Sequence, residues 1–146
     1  MCLLAIQYRL DEQTPILVAA NREEFYDRPS GPPSIQSGKP RVLSGVDQQG
    51  GGTWLGVNQY GMFVGASNRR KLIPPLAPRS RGTLCKDLLR CASAQEAMHL
   101  SMEELSTNRY EGVNFVIADA ESGWVVHGGD EPNVVKLEEG LSLIAN

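Results

Sequence analysis

Long apolar runs are missing from this chain of 146 residues, and so is the basic start of a secretory signal. No apolar run approaches the roughly 20 residues that a membrane-crossing helix needs, so we predict no integral membrane span. The first residues soon turn polar, which predicts that no secretory signal is present. We therefore expect a cytoplasmic protein, or one that reaches an organelle by another route.

Cysteine is scarce as well, with Cys2, Cys85 and Cys91 the three present. An odd number without paired metal-ligand spacing predicts free thiols. We interpret Cys85 and Cys91 as helix-packing residues. His99 and His127 have no second metal ligand at a useful spacing, so we interpret both as structural and predict no metal site. Nothing in the pattern indicates a cofactor.

Acidic residues are absent from residues 48–86, although the net charge of the whole chain is −3. The net charge argues against a general nucleic-acid binder. An unbroken basic segment either attracts an anionic substrate or ligand, or is an ordinary solvated loop, and the sequence leaves both open. The basic residues of the segment are Arg69, Arg70, Lys71, Arg79, Arg81 and Lys86.

A hairpin is predicted at the start of the chain, within a single domain that spans residues 1–146. Residues 2–8 alternate in polarity as a strand does, residues 11–15 form a turn, and residues 16–21 form a second apolar run. Because a hairpin places its two ends side by side, Asn21 should lie near Cys2.

The remaining pattern predicts antiparallel sheet with helices on one face, which is an α+β fold. Ser80 is a helix N-cap candidate, and Ser93 with Glu96 has the spacing of a capping box. The glycines at positions 50–52 lack the Lys and Ser/Thr of a phosphate-binding loop and indicate a turn or a close backbone approach. Residues 27–40 are predicted to form a long Pro/Gly/Ser loop, and further strands are predicted over residues 41–47, 53–58, 62–68, 113–119, 123–129, 133–139 and 141–146.

Cys2 has two interpretations. It is either a small apolar residue at the start of a strand or, once Met1 is removed, an N-terminal residue with both a thiol and a free amine. The pKa values of a thiol and an α-amine are close, about 8.5 and 7.7–8.0, so the amine can take the thiol proton and return it to a leaving group. Position alone favours the first interpretation.

A polar cluster follows the second predicted strand, at Asn21, Arg22, Glu23 and Glu24. An arginine can orient a carboxylate, and a carboxylate beside an N-terminal amine holds that amine and tunes its basicity. Each residue alone fits an exposed charged turn. The hairpin makes that interpretation weaker for the set, because the cluster would lie beside Cys2.

An ordered set of motifs runs along the whole chain: "MC", "AANREEFYDRPS", "LSGVD", "GGTWLGVNQYGMFVGASN", "SRG" and "YEGVNFVIAD". By these motifs the chain resembles the NRDE-motif family, also called the transport and Golgi organisation protein 2 family. One departure stands out, because the eponymous Asn-Arg-Asp-Glu reads Asn-Arg-Glu-Glu here. Glu23 keeps the charge of the usual aspartate but moves it by one methylene.

That family in turn resembles N-terminal nucleophile (Ntn) hydrolases of the choloylglycine hydrolase and penicillin V acylase type. The resemblance implies a four-layer αββα sandwich of antiparallel sheets, of which we expect only the N-terminal portion here. It implies that Cys2 is nucleophile and base, that Arg22 and Glu23 flank the amine, and that Asn68 and Asn146 supply the oxyanion hole. The residues expected to bind substrate are Asn21, Trp54, Arg69 and Arg81.

The function that the resemblance implies is that of an N-terminal-cysteine amidohydrolase acting on a linear non-peptide amide. The alternative is a non-enzymatic protein on the same fold that binds or traffics haem, lipid or acyl-CoA. Family members continue beyond Asn146, so we expect this chain to be C-terminally incomplete, with weak or no hydrolase activity. A second copy in a homo-oligomer, or the missing half, would then cover its exposed apolar surface.

Overall fold

Alternation along the first strand decides which of its side chains are buried. Leu4, Ile6 and Tyr8 are buried and the residues between them are more exposed, which confirms the predicted strand. A computed structural model describes residues 3–145 of the chain. Its elements are β1 (Leu3–Tyr8), β2 (Ile16–Asn21), β3 (Ser30–Gln36), β4 (Val42–Asp47), β5 (Leu55–Asn58), β6 (Phe63–Asn68), α1 (Arg81–Leu88), α2 (Ala94–Ser106), β7 (Val113–Ala118), β8 (Gly123–Gly128), β9 (Asn133–Lys136) and β10 (Gly140–Ala145).

Two antiparallel sheets form the fold. The smaller sheet has the order β10-β1-β2, and the larger has the order β3-β4-β5-β6-β7-β8-β9. The predicted hairpin is confirmed, because β1 pairs with β2 in a register that sets Leu3 opposite Asn21. Strand β10 pairs with the other edge of β1 and sets Ala145 opposite Leu3. The start of β1 and the ends of β2 and β10 therefore lie at one end of the smaller sheet.

The larger sheet is covered on both faces. On one face α1 and α2 pack through a core that includes Leu84, Leu88 and Phe115. On the other face the smaller sheet packs through Leu4 and Ile6 against residues such as Val116. The result is a helix–sheet–sheet stack, which makes up three layers of the predicted αββα sandwich. Between residues 3 and 145 no helix packs on the outer face of the smaller sheet.

Both helices begin where their caps predict. The Ser80 side chain accepts a hydrogen bond from the Thr83 backbone N–H, and that of Ser93 accepts one from Glu96. The Glu96 carboxylate accepts in return from the N–H of Ala92 rather than from that of Ser93. These bonds satisfy N–H groups that a helix start leaves without partners.

The predicted loop over residues 27–40 is wrong for its central part, because Ser30–Gln36 forms β3. Prolines within a stretch usually argue against a strand, since proline cannot donate to the ladder. Here β3 is an edge strand, and its register with β4 shifts between Gly31 and Ser34, the stretch that contains the two prolines. An edge position with a bulge is where a sheet tolerates proline.

The glycine at position 52 marks a close backbone approach, as its motif suggested. A Cβ at Gly52 would lie 2.1 Å from the carbonyl carbon of Gly82, at the start of α1. None of the helices within residues 3–145 is long and apolar enough to cross a membrane.

Candidate functional site

The candidate site lies at the end of the sandwich where β1 begins and β2 ends. The backbone N–H of Leu3 donates a 2.8 Å hydrogen bond to Oδ1 of Asn21. This bond ties the start of β1 to the head of the polar cluster at residues 21–24. Two residues of the implied catalytic set, Cys2 and Asn146, lie outside the described residues, and their sequence neighbours Leu3 and Ala145 are paired with each other at this end.

A cavity of about 450 Å³ opens beside the polar cluster. Its walls come from the segment after β2, the β4–β5 connection, the end of β6 and the start of α1. Arg69 lies outside this lining. The other described candidates line it together: Asn21, Arg22, Glu23, Trp54, Asn68 and Arg81.

Arg22 is held between an aromatic ring and carboxylates. Its guanidinium carbon lies 4.3 Å from the centroid of the Trp54 ring. Its Nη2 atom lies 3.5 Å from Oδ2 of Asp47 and 4.0 Å from Oε2 of Glu24. A planar guanidinium that stacks and pairs at once is fixed in orientation, which a lysine ammonium could not reproduce.

Asp47 organises this wall, a role that was not predicted from the sequence. Its carboxylate accepts from Arg28 at 2.7 and 3.3 Å and from the backbone N–H groups of Gln49 and Gly50. Burial opposes ionisation, but the Arg28 and backbone hydrogen bonds outweigh it and hold the pKa of Asp47 below its ordinary value. An aspartate three residues before a glycine is a turn signal that could have drawn attention to it.

The opposite wall comes from the first turn of α1. Nη1 of Arg81 donates a 2.9 Å hydrogen bond to the carbonyl oxygen of Gly112, and Nη2 lies 3.5 Å from Oε2 of Glu111. Glu111 is half-exposed, so this ion pair is weak and the guanidinium remains available to a second anion. Asn68 ends β6, pairs with Val113 and lines the cavity as an exposed residue.

Arg69 contacts a different group of residues, on the face of the larger sheet that meets the smaller sheet. Its Nη1 donates at 3.2 Å to Oδ1 of Asn114, which also lies 2.8 Å from Nδ1 of His127. Burial and then the Arg69 charge lower the pKa of His127. Asn114 is 2% exposed. A polar residue at a buried position of the apolar segment "VNFVIAD" was the signal that could have singled it out.

Comparisons with known proteins agree with this architecture. The family model described as "Transport and Golgi organisation 2" matches residues 1–146, the whole chain. The chain belongs to this family.

Relatives within the Transport and Golgi organisation 2 family are about twice as long. The Transport and Golgi organization protein 2 homolog of Homo sapiens is 29% identical over 139 residues, which cover 90% of this chain and 50% of that protein. The homolog of Bos taurus is 32% identical over 116 residues, covering 76% of this chain and 42% of that protein. The chain spans about half the length of the curated relatives it matches.

A solved structure shows that this Transport and Golgi organisation 2 family member has an Ntn-hydrolase fold. The Caenorhabditis elegans N-acylethanolamine-hydrolyzing acid amidase (NAAA) ortholog superposes with a TM-score of 0.66 over all of this chain and 70% of its own. Sequence identity is 14%, so the likeness concerns the fold alone.

The thiols of this family member outside the site are inert. Cys85 and Cys91 are free and buried, as predicted. Burial, with smaller contributions from the charges of Glu96 and Asp87, raises the pKa of Cys91 to about 11. Burial raises the pKa of Cys85 further, so both stay protonated near neutral pH. Within residues 3–145 no group of His, Cys, Asp and Glu side chains could hold a metal ion.

Proposed function

We propose that this chain is an N-terminal-cysteine amidohydrolase that cleaves a linear non-peptide amide. The observation that carries the proposal is the hydrogen bond from Leu3 N to Asn21 Oδ1, which ties the residue after Cys2 to the wall of the polar cavity. Once Met1 is removed, Cys2 would offer its thiol and its α-amine to that cavity. The same proposal treats residues 1–146 as belonging to one domain, since both cores share the larger sheet.

The reaction proceeds in two steps. The α-amine of Cys2 takes the thiol proton, and the thiolate attacks the amide carbonyl to form a tetrahedral oxyanion. The C–N bond breaks, the amine leaves with the proton returned by the ammonium, and a thioester remains on Cys2. Water, deprotonated by the same amine, then attacks the thioester and releases the carboxylic acid and the free thiol.

The surrounding residues have separate roles in this scheme. Arg22 and Glu23 orient the α-amine and tune its basicity, and the Trp54 stack keeps Arg22 in place. Asn68 and Asn146 donate hydrogen bonds to the oxyanion, a contribution worth about 10²–10³ in rate for one donor. The rest of the substrate contacts Trp54, Asn21 and Arg81. Because the ion pair of Arg81 with the half-exposed Glu111 is weak, Arg81 favours a substrate with an anionic group.

The test combines intact mass with acylation of the thiol. We expect the purified chain to lack Met1 and to gain one acyl group on Cys2 from an activated p-nitrophenyl ester, with release of p-nitrophenol. Cys2→Ala should abolish the gain of the acyl group and the release of p-nitrophenol while leaving the circular dichroism spectrum unchanged. Retained Met1 in a chain that still hydrolyses amides would exclude the α-amine as base.

Binding without turnover is the result that would replace this proposal. If the wild-type chain binds haem or an acyl-CoA in a spectroscopic titration, and Cys2 resists acylation, a carrier function on the same fold is the better conclusion. Arg81→Gln tests whether that ligand lies in the cavity, because a ligand held there should lose affinity in the variant.

A further inference from the structure

The side chain of Asn114 connects strand ends that the candidate site depends on. Its Nδ2 atom donates to Oγ of Ser67 at 3.3 Å and to the backbone oxygen of Ala145 at 3.4 Å. Its Oδ1 atom accepts from Nη1 of Arg69 at 3.2 Å and lies 2.8 Å from Nδ1 of His127. One buried amide thus contacts the ends of β6 and β10 and the neighbouring strand β8.

The orientation of this amide is determined by its partners. The carbonyl oxygen of Ala145 can only accept, so it requires the NH₂ group of Asn114. The guanidinium of Arg69 can only donate, so it requires the oxygen of Asn114. A flipped amide would set the NH₂ group of Asn114 against the guanidinium of Arg69 and its oxygen against the carbonyl oxygen of Ala145. Nδ1 of His127 lies 2.8 Å from Oδ1 of Asn114, which accepts, and 3.3 Å from Nη1 of Arg69, which donates, so the tautomer of His127 decides which of the two bonds forms.

Asn114 contacts sequence neighbours of both asparagines proposed for the oxyanion hole. Ser67 and Arg69 are the residues on either side of Asn68, and Ala145 is the residue before Asn146. Asn114 bonds the side chains of the two residues that flank Asn68, and it bonds the backbone oxygen at the end of the strand that leads to Asn146.

We propose that Asn114 is a positioning residue that sets the geometry of the oxyanion hole by fixing the ends of β6 and β10. This inference rests on the proposed function, since an oxyanion hole is needed only for acyl transfer. In this scheme Asn114 does not touch the substrate and acts through the residues that it positions. Misplacing a reacting group by 1 Å can cost about 10²-fold in rate, so loosening the end of β10 should have a large effect.

Asn114→Asp is the sharpest variant, because the carboxylate is isosteric with the amide. It still accepts from Arg69, and the Ser67 hydroxyl can donate to it, but it cannot donate to the oxygen of Ala145 and instead repels it. Asn58→Asp is the matched control. Asn58 is 4% exposed, donates to Leu89 and Cys91 and accepts from Tyr60 and Met62, at the end of β5 away from the cavity.

The measurement compares two reactions of the same thiol, each followed by intact mass. Acylation by a p-nitrophenyl ester passes through an oxyanion, whereas alkylation by iodoacetamide displaces iodide and forms none. We expect Asn114→Asp to slow acylation by about 10–100-fold while alkylation changes by less than about twofold. Asn58→Asp should change neither rate, although both variants lose stability.

Hydrogen–deuterium exchange supplies a readout that needs no activity. The peptide covering residues 141–146 should lose protection in Asn114→Asp and keep it in Asn58→Asp. Equal acylation rates in the wild type and Asn114→Asp, or a fall in alkylation equal to the fall in acylation, would overturn the inference. If wild-type Cys2 is not acylated at all, the proposed function fails. Unchanged protection of the peptide 141–146 in Asn114→Asp would overturn the inference separately.

Discussion

The guanidinium of Arg22 lies over the Trp54 ring, with 4.3 Å between its central carbon and the ring centroid. This contact brings together two elements that are distant in sequence, the segment after β2 and the start of β5. It fixes the arginine of the motif at the mouth of the cavity, with Asp47 on its other side.

Arg22→Lys is expected to disrupt this wall despite keeping the charge. A lysine cannot stack and pair with carboxylates at once, so we expect a loss of about 1 kcal/mol in the free energy of unfolding. Urea denaturation followed by tryptophan fluorescence measures this loss of stability. The rate at which an ester acylates Cys2 should also fall in Arg22→Lys. Arg41→Lys is the control, since Arg41 is exposed and lies away from the cavity. Equal effects of the two substitutions would contradict the role of the stack.

The Asp47 carboxylate should make stability depend on pH in the acid range. Its pKa is lower in the folded chain than the unfolded value of about 3.9, so its stabilisation is present above that value and is lost as pH falls through the folded pKa. Asp47→Asn should therefore lower the free energy of unfolding by about 1.5–3 kcal/mol at neutral pH, the usual contribution of hydrogen bonds to charged groups. The difference from wild type should shrink below about pH 4. A difference independent of pH would show that charge is not the cause.

Glu23→Asp restores the usual residue of the NRDE motif. If the extra methylene misplaces the carboxylate beside the α-amine, the aspartate variant should raise the rate of acylation. Glu103→Asp is the matched control, because Glu103 is exposed on α2 and lies outside the lining of the cavity. No gain in Glu23→Asp would mean that the position of the acid is not critical to the reaction.

Thiol labelling should separate Cys2 from the two buried cysteines. Burial holds the pKa of Cys91 at about 11 and raises that of Cys85, so neither forms a thiolate near neutral pH. An aromatic disulfide reagent should therefore modify one thiol in the native chain and all three after unfolding in urea. Cys2→Ala should remove the native reaction; rapid labelling of that variant would contradict the burial of the other two.

The outer face of the smaller sheet should bind apolar partners. Leu17, Leu141 and Leu143 are 56%, 68% and 66% exposed there. The register sets Leu17 and Leu141 in one row, on either side of Gln7, and Leu143 in the next row beside Ala5. A surface with several exposed large apolar side chains promotes association. We expect Leu141→Lys with Leu143→Lys to lower binding of an apolar dye and to shift the sedimentation profile toward monomer. The same two changes at Leu72 and Ile73, exposed in a loop, should have little effect on either measurement.

Local pattern was enough to predict much of this protein. Alternating polarity in residues 2–8 and 16–21 identified the hairpin, and the cap residues Ser80 and Ser93 located the starts of both helices. The ordered motifs identified the family, and with it the Ntn-hydrolase fold. These features depend on neighbours within a few residues or on motif order, both of which the sequence displays directly.

Only the tertiary structure decided which polar residues meet. The proline-rich stretch at Ser30–Gln36 forms an edge strand, where one side of the strand has no neighbour and a proline that cannot donate a hydrogen bond is tolerated. The tertiary structure joined Asp47 to Arg22 and Arg28, and it drew Arg69 away from the cavity to Asn114. Such contacts link residues 19 to 45 positions apart. They follow from sheet order and side-chain packing, which the spacing of residues along the chain does not specify.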